Sequence, residues 1–429
     1  MTSTVTQIEP ITSHRQPQIG SVASKKRKVG LFGIFGIQNL GNECTLQAIH
    51  YNSKQRLGAD AEFFAISFKA DDTENRHQLP SLPVTRQNFE HVRSGVLAKI
   101  GRILFRRIPG EMRDWISAVK GLRGTDIVFM TGTGMLTDYS TSSLGFPYHV
   151  FLWTMAAKLA GCKVCFISVG VGPLYERLSR FFIRRALSLA DFRSFRDEFS
   201  KKRIARQCFD SSHDHVYPDL AWSLPPSMFP RCTPRTGRMR IGLGMMDHYD
   251  IHLANSTEHG HEYSVYLGKM ADFVQWLVSR NYEVRILQGD ARHDCRVRDD
   301  LKVLLESRGL HYDQAGVRDE GAVTVDELLA QIAQVDLVVS PRFHNLLLGL
   351  MMDIPAISIS YDPKSDSLLE GVGLRKYHQR MAELDVEKLK TQLLDLEAEL
   401  DAVKPAIRKK AAEYRTQLDE QYVALLALL

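Results

Sequence analysis

Asp336-Leu-Val-Val-Ser-Pro-Arg-Phe-His-Asn-Leu-Leu-Leu-Gly-Leu350 is an apolar run, a short polar turn and a second apolar run. The first run, which ends at Ser340, predicts a strand that is buried on both faces, as in a parallel sheet. Pro341 cannot donate to a sheet ladder and stops the strand. The second run predicts a helix that begins near His344. Strand, turn and helix in this order form the repeating unit of an α/β fold.

The same unit recurs on both sides of this segment. We predict strands at 29–34, 125–130, 163–169 and 191–194, and again at 239–244, 283–288, 337–340 and 356–360. Helices are predicted between them, among others at 263–280 and 325–332. Strands that are apolar throughout and alternate with helices indicate parallel sheets covered on both faces. The sequence therefore predicts an α/β chain of two doubly wound, Rossmann-like domains that face a shared cleft.

The chain divides into five predicted segments. They are a disordered basic tail at 1–28, an N-terminal domain at 29–224, a linker at 225–237, a C-terminal domain at 238–380 and C-terminal helices at 381–429. The tail shows no apolar periodicity, and the linker is rich in proline. In the last segment leucines recur at helical spacing, and we expect Pro405 to break it into two helices.

Composition excludes several classes of protein. Of the 429 residues, 44% are hydrophobic, a fraction too high for a disordered chain. The 6 cysteines are too few for a disulfide scaffold. The net charge of +5 is concentrated in residues 1–28, which hold five bases and one acid, so nucleic acid is not an expected partner. Without a secretory signal or a membrane span we expect a cytoplasmic protein, with contact to the inner face of the membrane left open.

Two chemically active side chains follow neighbouring strands. His344 lies where a helix begins, and a helix N-terminus attracts anions through its free amides and its dipole. A histidine there can act as an acid or base near neutral pH, or it can simply cap the helix. Lys364 follows the next strand, 356–360, and so lies beside His344 at the sheet edge. This pair suits a small anion that carries carboxylate and phosphate.

The N-terminal domain offers a matching cation. Arg196 follows a short strand and is the candidate to reach across the cleft, although a salt bridge to Asp197 or Glu198 is an alternative. Residues 177–206 contain ten bases and three acids. We expect this basic edge to attract an anionic donor or the phosphates of a lipid-linked acceptor.

Common cofactor motifs are absent from the sequence. The turn 36–41 lacks the GxGxxG spacing, Gly132-Thr-Gly134 is too short to be specific, and there is no P-loop. Nicotinamide and P-loop nucleotides are therefore not expected. Histidines crowd residues 213–261, including a His-rich loop at 247–264, but no HExxH occurs. We predict no cofactor and no metal site.

The sequence resembles the polysaccharide pyruvyl transferase family over most of residues 29–380. The matching segments are Asn39-Leu-Gly-Asn-Glu43, Thr131-Gly-Thr-Gly-Met-Leu-Thr-Asp138, Gly170-Val-Gly-Pro173, Ser194-Phe-Arg-Asp197, Pro218-Asp-Leu-Ala221, Arg342-Phe-His344 and Tyr361-Asp-Pro-Lys364. The last two are the most specific. The resemblance implies a GT-B-like fold and transfer of pyruvate from phosphoenolpyruvate, as a ketal, onto a sugar of a polysaccharide or of its lipid-linked precursor, with release of phosphate.

The resemblance also implies an acceptor side on the N-terminal domain, a donor side on the C-terminal domain, and roles for individual residues. His344 would be the catalytic acid. The donor-binding candidates, which come from both domains, are Arg196, Arg342 and Lys364. The acceptor-binding candidates, which lie in two matching turns of the N-terminal domain, are Asn39, Glu43 and Asp138. Phosphoenolpyruvate is then a co-substrate, and the oligomeric state stays open.

Two other functions fit the same architecture. One is a glycosyltransferase that uses a nucleotide-sugar donor, although no acidic ribose ligand is evident in the second half of the chain. The other is a non-catalytic protein that binds a saccharide or an anion. Competition between donors, and phosphate release with any acceptor, distinguish these alternatives.

Overall fold

A computed structural model of the chain describes residues 26–85, 108–139, 141–246, 256–362 and 364–429. Most of the predicted tail, residues 1–25, lies outside these ranges, and so does part of the predicted His-rich loop, residues 247–255. The first strand begins at Arg27, so the end of the predicted tail is strand instead. The helix after the His-rich loop begins at Ser256, seven residues earlier than predicted, so residues 256–264 are helical and not loop.

The first half of the chain forms a seven-stranded parallel sheet with helices between the strands. Its elements are β1 (Arg27–Phe32), α1 (Leu40–Leu57), β2 (Ala61–Ser67), α2 (Ala70–His77), β3 (Ser81–Pro83), α3 (Ile108–Gly121), β4 (Ile127–Thr131), α4 (Phe146–Leu159), β5 (Lys163–Val169), α5 (Arg177–Leu189), β6 (Phe192–Phe195), α6 (Glu198–Gln207) and β7 (His215–Val216). The strand order is β3-β2-β1-β4-β5-β6-β7.

The second half forms a six-stranded parallel sheet of the same kind. Its elements are β8 (Arg240–Gly244), α7 (Ser256–Ser279), β9 (Glu283–Leu287), α8 (Asp294–Ser307), α9 (Tyr312–Ala315), β10 (Val317–Arg318), α10 (Val325–Ile332), β11 (Leu337–Ser340), α11 (Phe343–Met351), β12 (Ala356–Ser360), α12 (Lys364–Gly371) and β13 (His378–Arg380). The strand order is β10-β9-β8-β11-β12-β13. A long helix, α13 (Val386–Leu426), follows.

Strand order reverses at corresponding places in the two sheets, between β1 and β4 and between β8 and β11. At such a reversal the flanking helices leave a crevice at the carboxyl ends of the strands, where ligands bind. The central strands β4, β11 and β12 are buried along their whole length, as their apolar sequences require. The crevice beside β11 is therefore walled by rigid elements, and α11 begins inside it.

The helix α13 connects the two domains. In its first half, the Gln392 amide donates to the Lys376 carbonyl at 2.7 Å in the C-terminal domain. In its second half, the Gln421 amide donates to Ser168 Oγ at 2.9 Å in the N-terminal domain. Among the described residues, no helix is long and apolar enough to cross a membrane.

The prediction that Pro405 breaks the C-terminal segment into two helices is wrong. The helix runs from Val386 to Leu426 with Pro405 inside it. A proline inside a helix costs about 3 kcal/mol. Burial of one large apolar side chain stabilises a fold by about 1.5–3 kcal/mol. The apolar residues of α13 that are buried on the two sides of the proline are Leu389, Leu393, Leu396, Ile407, Leu418 and Tyr422. Packing against both domains therefore outweighs the local break.

Candidate functional site

His344 lies at the interface between the two domains. It is the second residue of α11, and the helix is capped at Arg342, whose side chain makes no cap hydrogen bond. The imidazole is 17% exposed and packs against Gly41 at the start of α1. A Cβ atom at Gly41 would lie 2.5 Å from both Cγ and Cε1 of His344. The histidine therefore does not cap its helix, and its position depends on the absence of a side chain at Gly41.

Asp219 faces this histidine. Its Oδ1 is 3.8 Å from His344 Nε2, and Nε2 has no hydrogen-bond partner among the described residues. The Asp219 carboxylate also accepts from the Ala221 amide at 3.0 Å, which fixes its orientation. Burial by itself would raise the pKa of Asp219, but His344 and Arg196 lower it below its ordinary value. Asp219 is therefore an ionised counter-charge for the histidine at neutral pH.

Arg196 completes a cluster with Asp219 and His344. Its Nη1 is 3.3 Å from Asp219 Oδ2, and its guanidinium stacks over the Phe343 ring of the other domain at 4.8 Å. Arg196 Nε is also 3.4 Å from the Asp197 carboxylate. The predicted alternative, a salt bridge to Asp197, is therefore present together with the contact to Phe343 across the cleft. Burial by itself would lower the pKa of Arg196, but the carboxylates around it raise it above its ordinary value.

The position of Arg196 depends on a glycine in the Gly170-Val-Gly-Pro173 turn. A Cβ atom at Gly170 would lie 2.6 Å from Cζ of the arginine. Because this turn follows β5, the strand beside β6, its backbone runs directly under the guanidinium. The turn therefore supplies room for the arginine side chain.

Arg342 is fixed within the C-terminal domain. Its side chain donates to the fully buried carboxylate of Asp294, which also accepts from the amides of Gly289 and Asp290 at 3.0 and 2.8 Å. Its Nε has no hydrogen-bond partner among the described residues. Lys364 is the first residue of α12, after β12, and its side chain lies outside what the structure describes.

The predicted acceptor residues hold backbone turns. Asn39 caps α1, and its amide donates to Asp290 of the other domain at 3.2 Å. Glu43 is 2% exposed and binds the Gly36 amide at 2.9 Å and His77 at 2.7 Å. Asp138 is fully buried and accepts from the amides of residues 175 and 176. These contacts bring Asn39 to the cleft, and the acceptor role of all three stays a prediction.

Sequence reasoning did not select Asp219. The matching segment Pro218-Asp-Leu-Ala221 contained it, but no role was assigned to any residue of that segment. Only the folded chain shows that this carboxylate lies between Arg196 and His344, two residues from different domains.

A cavity of about 360 Å³ opens beside this cluster. It lies between the start of α7 and the carboxyl ends of β12 and β13. Its lining residues are His261, Glu262, Tyr263, Val265, Tyr266, Lys269, Ser360, Tyr361, Asp362, Arg380, Met381 and Ala382. Asp362 and Tyr361, which belong to this lining, also lie close enough to Arg196 to raise the pKa of its guanidinium. In the described part of the chain, no three His, Cys, Asp or Glu side chains converge as metal ligands would.

The buried pair between Asp219 and Arg196 makes a prediction about stability. Asp219→Asn should destabilise the protein by about 3 kcal/mol at neutral pH, because it leaves a buried arginine without a full counter-charge. A lowered pKa stabilises the fold above the unfolded-state pKa, and this stabilisation is lost as pH falls through the folded-state pKa. The deficit should therefore shrink below about pH 4.

Denaturant midpoints of wild type and Asp219→Asn across this pH range check the prediction. Asp395→Asn, an exposed site on α13, is the matched control and should leave the midpoint unchanged. A deficit that is constant with pH would contradict the charge-based explanation.

Comparisons with known proteins agree with this architecture. The family model for polysaccharide pyruvyl transferase matches residues 47–363. No curated protein matches the sequence. A glycosyltransferase from Rickettsia africae ESF-5 superimposes with a TM-score of 0.55 at 11% identity, covering 94% of this chain and 99% of its own. The UDP-GlcNAc 2-epimerase from Neisseria meningitidis, bound to UDP-GlcNAc, superimposes with a TM-score of 0.51 at 11% identity, covering 92% of this chain and 100% of its own.

These likenesses show the fold, since their sequence identities are low. They confirm two Rossmann-like domains in the GT-B arrangement with a cleft between them. The match to the family model extends over nearly three quarters of the sequence and includes Arg196, Asp219 and His344. The chain belongs to the polysaccharide pyruvyl transferase family.

Proposed function

We propose that this protein transfers the pyruvate group of phosphoenolpyruvate onto two hydroxyls of a sugar, forming a ketal and releasing phosphate. The observation that carries the proposal is the cluster of His344, Asp219 and Arg196 across the domain interface. It combines an acid, its counter-charge and an anion-binding cation within one crevice. Family membership supports a transferase that acts on polysaccharides.

The donor is a small trianion, and the crevice offers several groups that bind anions. Arg196 and Arg342 come from different domains. Each guanidinium has five N–H donors, so the two carboxylates beside Arg196 and the one beside Arg342 leave other donors for a ligand. The first turn of α11 adds backbone amides and the positive end of the helix dipole, without a side-chain cap. We assign the donor carboxylate and phosphate to these groups and to Lys364.

In the proposed reaction, His344 as imidazolium donates a proton to the methylene carbon of phosphoenolpyruvate. C3 becomes a methyl group, C2 becomes cationic, and a sugar hydroxyl adds to C2 and loses its proton. The C2–O bond to phosphate then breaks, and a second hydroxyl closes the ketal. Of the two hydroxyl protons, one restores the histidine and one leaves with phosphate. Asp219 supplies the counter-charge for the imidazolium.

For the acceptor we propose the cavity beside β12, which lies in the C-terminal domain and so departs from the prediction of an acceptor side on the N-terminal domain. Asn39, Glu43 and Asp138 do not line it. A volume of about 360 Å³ is in the range of small-molecule sites, about 300–1,000 Å³. Two bases, Lys269 and Arg380, balance two acids, Glu262 and Asp362, and three tyrosines add hydroxyls and flat apolar faces. Such a lining suits a neutral ring with many hydroxyl groups better than it suits a phosphate.

Arg380→Ala should therefore raise the KM for the acceptor about tenfold, by removing one charged hydrogen-bond donor from the cavity. The KM for phosphoenolpyruvate should not change. Arg375→Ala removes an exposed arginine that does not line the cavity and is the control. Equal acceptor KM values in the two variants would place the sugar elsewhere.

Lys364→Ala should mainly weaken donor binding. One lost ion pair with a desolvated phosphate or carboxylate corresponds to about a tenfold rise in the donor KM. The turnover rate with saturating donor should fall much less. Initial rates over a range of phosphoenolpyruvate concentrations give both constants, and an unchanged donor KM would remove Lys364 from the site.

The function itself is tested by phosphate release from phosphoenolpyruvate across a panel of free and lipid-linked saccharides. We expect release with one or more acceptors and no competition from nucleotide sugars. Transfer from a nucleotide sugar would favour the glycosyltransferase alternative. Donor or saccharide binding without turnover on any acceptor would favour the non-catalytic alternative.

A further inference from the structure

One face of α5 is both basic and apolar. Residues Ser179, Ile183, Ala186 and Leu187 are buried beneath the helix, and its remaining side is exposed. We call that side the α5 surface, which comprises Arg177, Leu178, Arg180, Phe181, Arg184 and Arg185. Leu178 and Phe181 are 46% and 47% exposed, which is high for large apolar side chains. The helix contains no acidic residue.

This combination does not serve the stability of the helix. Arg180 follows Arg177 by three residues and precedes Arg184 by four, so like charges are neighbours on the helix and repel one another. The Arg185 guanidinium lies over the exposed Phe181 ring, 5.5 Å from the ring centre, so both groups stay at the protein surface. A face that is unfavourable for the isolated fold indicates a partner with the complementary charge.

The helix is held rigidly from below. Phe182 stacks on Phe151 of α4 with ring centroids 5.5 Å apart. At the N-terminal end, Arg180 donates to the carbonyls of residues 174 and 175, and the buried Asp138 binds the amides of residues 175 and 176. The α5 surface is therefore a preformed platform and does not require folding on binding.

The platform belongs to the N-terminal domain, which supplies Arg196 and Asp219 to the site. The Gly170-Val-Gly-Pro173 turn, whose Gly170 touches Arg196, leads directly into α5. Arg180 and Arg184 also lie near Cys208 at the end of α6, where they oppose the effect of burial on the Cys208 pKa. The basic surface thus extends beyond one helix, toward the bases of α6.

We propose that the α5 surface docks this protein onto an anionic membrane. Arginines interleaved with Leu and Phe on a rigid helix match an interface where anionic headgroups lie above acyl chains. Docking there brings the cleft to sugars that are built on a membrane-bound carrier. Membrane binding is separate from catalysis, so it holds or fails independently of the proposed pyruvyl transfer.

Co-sedimentation of the full chain with vesicles tests the proposal. We expect binding to phosphatidylcholine vesicles that contain phosphatidylglycerol, little binding to phosphatidylcholine alone, and release by salt. Arg184→Gln/Arg185→Gln should weaken binding about 25-fold, at about fivefold per arginine. Leu178→Ser/Phe181→Ser should weaken it on the same vesicles without a change of charge.

Matched controls remove the same groups from other exposed places. Arg231→Gln/Arg235→Gln lowers the charge equally, and Val303→Ser/Val423→Ser removes exposed apolar side chains. Both should bind like wild type. The proposal is overturned if wild type binds vesicles equally with and without phosphatidylglycerol. It is also overturned if the α5 variants bind like the controls, a result that would assign binding to the basic residues 25–28. It is also overturned if an oligonucleotide, and not vesicles, binds in an α5-dependent way.

Discussion

Replacing His344 with glutamine should lower the rate of phosphate release from phosphoenolpyruvate by about a thousandfold. Glutamine keeps a polar side chain at the start of α11 but cannot donate a proton to carbon. General acids contribute about 10²–10⁴-fold to rate. Because the proposal assigns the donor to Arg196 and Arg342, the dissociation constant for phosphoenolpyruvate should change by only a few-fold.

Two measurements separate this loss from misfolding. Donor binding by calorimetry should persist in the His344→Gln variant, and its unfolding midpoint should stay near that of wild type. His213→Gln makes the same change at an exposed histidine and should retain full activity. Turnover that survives His344→Gln would remove this residue from the acid role.

Gly41→Ala should also cost about 100-fold in turnover, although it adds only one methyl group. The new Cβ would lie 2.5 Å from two atoms of the His344 ring, so the ring has to move or the domains have to separate. Displacement of a reacting group by about 1 Å can cost about 100-fold. The expected loss is in kcat, with a smaller effect on donor binding.

The control for Gly41→Ala is Gly268→Ala. Gly268 lies within α7, and a Cβ atom there meets nothing within 4 Å. That variant should be fully active and slightly more stable, because alanine favours a helix over glycine by up to about 1 kcal/mol. If Gly41→Ala were as active as Gly268→Ala, the close contact between α1 and His344 would not matter for catalysis.

Much of the fold could be predicted from local sequence patterns. The strand at Lys163–Val169 and the helix at Val325–Ile332 have the predicted bounds, because each combines a strong apolar pattern with clear ends. Thr324 begins the latter with a complete capping box to Glu327. Short elements such as β3 and β10 were not predicted, since a few residues carry too little periodicity.

The course of the C-terminal helix depends on tertiary contacts that local sequence does not report. Pro405 is a strong local signal for a break, yet the helix passes through it. Its two halves are tied to different domains, by Gln392 on one side and Gln421 on the other. Such long-range bonds override local preference.

Individual site residues could be selected from sequence, but their relations could not. His344 and Arg196 were candidates because each follows a strand, and the structure places both on Asp219. Their meeting depends on Gly41 and Gly170, which leave space for an imidazole and a guanidinium. Glu43 and Asp138 were candidate acceptor ligands in two turns, and the structure shows their carboxylates buried against backbone amides. Burial of this kind cannot be derived from spacing alone.

The most direct test of the proposed function follows the donor carbon itself. Phosphoenolpyruvate labelled with ¹³C at C2 is incubated with the protein and an acceptor that supports phosphate release, and the saccharide product is examined by NMR. The proposal predicts one labelled ketal carbon, bonded to two sugar oxygens and a methyl group, for each phosphate released. Label found only in free pyruvate, or a saccharide without label, would contradict pyruvyl transfer.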